Sequence, residues 1–189
     1  MKTVKLAWLF ILCSLLALLP VGDTPAYRLE GQTGKAAIAP CDVRAYVTDR
    51  DPGGLNVRSG PGKSYKTIGN LPKQGVEGIG VHITGASGDW VRIDRAVEEG
   101  GEPERTFFQG EGWVYASLLG VSGMAITDGG TNLYQDTTKN SRVIIRVPGG
   151  DDSVTVRGCR GQWIYVEYKK KKGWAAPDTL CANSLTTCV

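Results

Sequence analysis

The chain repeats itself once, and that repeat constrains the fold more than any other feature. LNVR at 55–58 and TNLY at 131–134 lie 76 residues apart, and TIGNLP at 67–72 and VIIRVP at 143–148 keep the same offset. DWVRI at 89–93 answers QWIYV at 162–166, and GWVYASLL at 112–119 answers GWAAPDTL at 173–180. The landmarks follow one order in both halves and only the gaps differ, as in a degenerate tandem duplication. Two similar small units are therefore expected. The main difference is an insertion: Trp90 and Trp113 are 23 residues apart, whereas Trp163 and Trp174 are 11 apart. The extra segment, from Arg95 to Glu111, is rich in Glu and Gly and reads as a long exposed hairpin loop. KKKK at 169–172 stands in the matching place.

Each unit reads as β-structure. No helical periodicity follows the N-terminal leader. Short alternating or β-branched runs recur instead, among them Asp42–Thr48, Val76–Thr84, Trp90–Arg95, Gly123–Thr127, Arg142–Val147 and Trp163–Tyr168. Glycine fills 26 of 189 positions, roughly twice the usual share, as frequent tight turns demand. The pattern is all-β, in two units.

The leader itself sets the compartment. Lys2 and Lys5 precede an uncharged apolar run, Leu6–Leu19, which is shorter than the ~20 residues needed to span a bilayer and suits a secretory signal. Cleavage is placed near Ala26, which divides the chain into a signal peptide 1–26, a linker 27–41, a first unit 42–120, a second unit 121–182 and a tail 183–189. The expected location is the periplasm or the extracellular space. Without the leader, 20 basic residues face 18 acidic ones, too even a balance for a nucleic-acid binder, and no second apolar run reaches membrane length. The four cysteines left, Cys41, Cys159, Cys181 and Cys188, are expected to form two disulfides in an oxidising compartment. Cys159 with Cys181 is the preferred pair, since both fall in the C-terminal half, and Cys41 with Cys188 would then tie the two ends together.

Catalytic and metal chemistry find little support. The one histidine, His82, shares strand parity with Gly80 and Thr84 opposite Val81 and Ile83, so it is expected to point to solvent. A Cys–His hydrolase needs a free thiolate, and every cysteine is better explained by a disulfide. Glu98, Glu99, Glu102 and Glu104 lie in a Gly-rich loop, a poor frame for the rigid carboxylate pair of a glycosidase. No His or Cys spacing suggests a metal, and no cofactor is expected. Asp and Gly in TDRDPGG at 48–54 suit turns.

Aromatic side chains are the stronger candidates. In a strand, alternate residues face opposite sides. With Val91, Ile93, Val114, Ile164, Val166 and Ala175 inward, Trp90, Arg92, Trp113 and Tyr115 line the outer face of the first unit. Trp163, Tyr165 and Trp174 do so in the second. Such rings offer a large contact area at low entropic cost, though a tryptophan can equally cap a small barrel. Lys169–Lys172 could steer an anionic polymer or simply keep a hairpin tip soluble.

The ordered set LNVRSGPGKSYKTIGNLPKQ, GDWVRI, GWVYASLL resembles a bacterial SH3-like domain of the cell-envelope type. The second half resembles it more loosely, because its Gly60-Pro61-Gly62 element has become YQDTTKNS. The resemblance implies two tandem SH3-like β-barrels, each of five or six short strands with a one-turn helix such as Ala116–Leu119. It also implies a non-catalytic exported protein that binds peptidoglycan peptides or another envelope component, with the second barrel, which lacks the Gly-Pro-Gly element, serving mainly as a structural partner. Docking onto an envelope enzyme is the alternative. An envelope hydrolase would need a catalytic domain for which two barrels leave no room.

Overall fold

The computed structural model describes residues 37–73, 78–101, 103–124, 130–183, 185 and 188; the leader, the expected cleavage site and the end of the expected Gly123–Thr127 strand lie outside them. Among the described residues the chain forms β1 (Ala39–Val47), β2 (Leu55–Arg58), β3 (Thr67–Leu71), β4 (Gly78–Ser87), β5 (Trp90–Glu99) and β6 (Thr106–Tyr115). A 3-10 turn at Ala116–Leu118 leads into β7 (Leu119–Gly123). Then follow β8 (Thr131–Tyr134), β9 (Val143–Val147), β10 (Val154–Arg160), β11 (Trp163–Tyr168), β12 (Lys171–Ala175) and β13 (Leu180–Cys181).

Strand pairing repeats with the sequence. Antiparallel pairs β1–β4, β2–β3, β2–β6, β4–β5, β5–β6 and β1–β7 recur as β7–β10, β8–β9, β8–β12, β10–β11, β11–β12 and β7–β13. Strand β7 is therefore the last strand of the first barrel and the first of the second. Gly120 pairs with Tyr46 on one side and Thr155 on the other. A Cβ there would sit 2.6 Å from Thr48 Cγ2, so glycine lets the shared strand pass close to β1. Val57, Leu71, Val91, Ile93 and Val114 from the first barrel join Leu133, Val147, Val156, Val166 and Ala175 from the second in one buried apolar cluster. Burial of this surface, at roughly 25 cal/mol per Å², is the main source of stability for strands this short.

The turns keep the offset of 76 even where their residues differ. Ser59, Gly62 and Tyr65 donate backbone N–H bonds to Lys66, Gly60 and Gly62. Gln135, Thr138 and Ser141 donate the equivalent bonds to Arg142, Asp136 and Thr138. Neither Gly60 nor Gly62 adopts positive φ. Glycine is needed at 60 for close approach, since a Cβ would lie 2.3 Å from the Tyr65 ring. In the second copy no ring occupies that place, and Ser141 Oγ closes the loop onto the Asp136 and Thr138 carbonyls instead.

Two expectations need correction. The Arg95–Glu111 segment is mostly strand: β5 and β6 run on as a ladder in which Arg95 faces Gln109 and Ala96, fully buried, faces Phe108. Phe107 and Phe108 pack on the core, and these apolar contacts hold the Glu-rich arm as a hairpin. The disulfides join Cys41 to Cys159 and Cys181 to Cys188, with Cα–Cα distances of 5.7 and 5.4 Å, not Cys159 to Cys181 and Cys41 to Cys188. The start of β1 lies against the β10–β11 turn, where Asp42 N–H donates to Gly161 at 2.9 Å and Gly161 N–H to Pro40 at 2.8 Å. That contact brings Cys41 to Cys159 across 118 residues.

Candidate functional site

The aromatic residues fall into two equivalent rows that differ in character. In the first barrel Trp113 on β6 is in register with Arg58 on β2 and Arg92 on β5. In the second, Trp174 on β12 is in register with Tyr134 on β8 and Tyr165 on β11. One row is Arg–Trp–Arg and the other Tyr–Trp–Tyr.

Trp113 is 3% exposed, which corrects its place among the surface residues. Parity sets the face of a strand but not what covers it, and a long arginine on each neighbouring strand can lay its aliphatic stem along a central ring. Arg92 is itself engaged, donating to Thr84 Oγ1 at 3.1 Å and to Glu111 at 3.3 Å. Trp90 and Tyr115 are half-buried and meet edge to face at 5.5 Å. No ring contact links them to Trp113 among the described residues.

In the second barrel the rings form two pairs on neighbouring strands. Tyr134 meets Trp163 edge to face at 6.0 Å, and Tyr165 meets Trp174 at 4.8 Å with a 39° tilt. The Arg160 guanidinium lies 5.5 Å from the Trp174 ring. All four rings are half-exposed. Edge-to-face and tilted contacts of this kind hold the rings in place while leaving polar tips and π-faces open.

A second cluster surrounds His82. A β-bulge at Asp94 shifts the register between β4 and β5 and turns the Asp94 carboxylate onto the imidazole, as bulges do. His82 Nδ1 lies 2.8 Å from Asp94 Oδ1, and Nε2 lies 3.0 Å from Asp42 Oδ1. Carboxylates only accept, so the imidazolium, with two N–H groups, satisfies both. Desolvation alone would lower the imidazole's pKa, but the hydrogen bonds to Asp42 and Asp94, with their charges, outweigh it and raise it above the ordinary histidine value. His82 is thus half-exposed and held, where parity placed it free in solvent.

The bacterial SH3 domain family matches residues 53–120 and again 129–180. The chain belongs to that family. Both SH3 units retain the family match, although the second has lost Gly60-Pro61-Gly62. A putative N-acetylmuramoyl-L-alanine amidase, YrvJ, of Bacillus subtilis (strain 168) is 26% identical over 155 residues, a stretch covering 74% of this chain and 27% of the amidase. The chain thus spans about a quarter of that relative's length. The solved structures of NlpC2 and NlpC1 from Trichomonas vaginalis are 17% and 14% identical; each match covers 74% of this chain, with 47% and 45% of theirs, at a TM-score of 0.28.

Of the sequence candidates, the second SH3 unit brings Trp163, Tyr165 and Trp174 together. The first joins Trp90 to Tyr115 and keeps Arg92 and Trp113 in a separate row. Tyr134 and Arg160 were missed. Tyr134 closes the TNLY landmark, and its offset partner is the non-aromatic Arg58, which hid it from a comparison of like residues. Among the described residues no cluster of His, Cys, Asp and Glu has the arrangement of a metal site, and no helix is long and apolar enough to cross a membrane.

Proposed function

We propose that this chain is an exported, non-catalytic envelope-binding protein whose second SH3 unit carries the ligand face. One observation carries the reading: four half-exposed rings form two pairs, Tyr134 with Trp163 and Tyr165 with Trp174, on neighbouring strands where Tyr134 and Trp174 are in register, and Arg160 lies over Trp174. Such a patch suits the peptides of peptidoglycan, offering flat apolar contact with a guanidinium for a carboxylate. The two disulfides suit an oxidising compartment, periplasmic or extracellular. The match to part of a putative wall amidase supports an envelope setting and also a second reading, in which the unit docks onto an envelope enzyme.

Co-sedimentation with purified peptidoglycan tests the first reading. The oxidised protein is expected to pellet at low salt, and the pair Trp163→Ala with Trp174→Ala to remain in the supernatant. Retention of the double variant in the pellet overturns the assignment of the face. Failure of the unaltered protein to pellet overturns wall binding and favours the docking reading.

A further inference from the structure

We propose that the tip of the β11–β12 hairpin, with the neighbouring β8–β9 loop, is a second ligand site, for a linear envelope polymer carrying repeated phosphodiester or carboxylate groups. It goes beyond the peptide face and stands independently of it. Lys169 and Lys170 form the two-residue turn, which the pair Tyr168 and Lys171 closes. Their φ values are 46° and 62°. A turn with two positive φ values ordinarily favours Asn-Gly, so lysine stands at both positions against the preference of the backbone. Strain of this kind recurs at functional sites. Both strands are interior to the sheet, β11 between β10 and β12, and β12 between β11 and β8. Protection of an edge strand therefore does not account for the lysine run. The corresponding connection of the first unit carries Glu98, Glu99 and Glu104 instead, so the basic tip belongs to the second unit alone.

The β8–β9 loop adds cations to the same end of the sheet. Trp174 pairs with Tyr134 and Ala175 with Leu133, an antiparallel register that sends the residues after Tyr134 toward the start of β12. A Cβ on Gly173 would accordingly lie 3.1 Å from the Tyr134 carbonyl oxygen. The charges at this end are unequally committed. Glu167 takes Arg157 at 3.0 Å and Lys172 at 3.9 Å. Asp151 accepts hydrogen bonds from Tyr168 and Ser153, and the Lys169 ammonium lies 5.0 Å from the centre of the Tyr168 ring. Asp136 and Asp152 are then the acids left, against Lys139, Arg142, Lys170 and Lys171. All four of these cations are exposed, and none has an ion-pair partner among the described residues. They are spread over two loops and not gathered round one point, which suits charges repeated along a chain better than a single small anion.

The test is a titration of the ¹⁵N-labelled, oxidised protein with inorganic polyphosphate and, separately, with polygalacturonate, followed by amide shifts. Saturable shifts centred on residues 139–142 and 169–172 are expected, weakening as salt rises. The tighter of the two polymers identifies the anion. Lys169→Asn with Lys170→Gly keeps the turn and removes two charges. Its affinity should fall about tenfold, while its Tm stays level or rises. Lys63→Gln with Lys66→Gln removes two charges from the first unit and should leave the affinity unchanged. Absence of saturable binding to both polymers, shifts without a centre at the tip, undiminished binding by the turn variant, or an equal loss in the first-unit control would each overturn the proposal. Trp163→Ala with Trp174→Ala should leave this titration unchanged, so failure of the peptide face and failure of this site are read separately.

Discussion

Removing the Cys41–Cys159 bridge tests the way the two SH3 units are joined. The bridge spans 118 residues, whereas Cys181–Cys188 spans 7. Chain entropy makes the longer loop the stronger restraint on the denatured state. The loop-closure relation gives about 5 kcal/mol for the first and about 2.5 kcal/mol for the second as upper figures. The backbone bonds between Pro40, Asp42 and Gly161 survive substitution of the cysteines, so the native contact should persist and most of the effect should lie in the denatured chain. Cys41→Ala with Cys159→Ala is therefore expected to lower the urea midpoint more than Cys181→Ala with Cys188→Ala does. It should also raise the m-value, because the released chain exposes more surface on unfolding. Tryptophan fluorescence across a urea series measures both. A larger loss from the short loop refutes the entropic argument. Non-reducing peptide mapping tests the connectivity directly, and a cross-linked fragment joining Cys159 to Cys181 refutes the structure of the junction.

The remaining predictions concern single positions. For His82 the folded pKa is raised, so its contribution is complete below the unfolded histidine pKa and is lost as pH rises through the folded value. With the side chain 34% exposed, solvent screening limits this to roughly 1 kcal/mol or less; His82→Gln should flatten the pH dependence of the urea midpoint in that window, and an unchanged profile would exclude the clamp. Lys170 sits at φ 62° in the β11–β12 turn, where a non-glycine residue costs about 1–2 kcal/mol, partly offset by glycine's own backbone entropy. Lys170→Gly should raise Tm by about 1–4 °C and Lys170→Val should lower it; calorimetry showing the reverse order would rule out the strain. Gly112→Ala places a Cβ 2.3 Å from Val57 Cγ1 in the core and should cost about 1–3 kcal/mol. For Gly60→Ala the nearest atoms belong to the Tyr65 ring, 42% exposed, which can swing aside, so its loss in chemical denaturation should be the smaller.

What the sequence made legible was whatever recurs at short range. The offset of 76 located the turns as well as the strands: Gly54 and Gly130 share φ near 70° beneath the Leu71 and Val147 carbonyls, because the same ladder forces the same tight passage in both copies. Strand parity found Val91, Ile93, Val114, Ile164 and Val166 inside, since alternation is a property of the strand alone. It failed at Trp113, because burial on the outer face depends on neighbours that belong to other strands. Arg58 and Arg92 flank that ring, whereas Tyr134 and Tyr165 flank Trp174. The exposed aromatic rows therefore lie in the copy that departs further from the family pattern. His82 followed the same logic. Asp94 reaches it only because a bulge adds one residue to β5, and Asp42 comes from 40 positions away. Cys159 likewise meets a cysteine in β1 and not the nearer Cys181. In each case the decisive partner lies on another strand or turn, which the alternation within one strand does not carry. The long-range terms accordingly decide which rings of the two related units stay exposed.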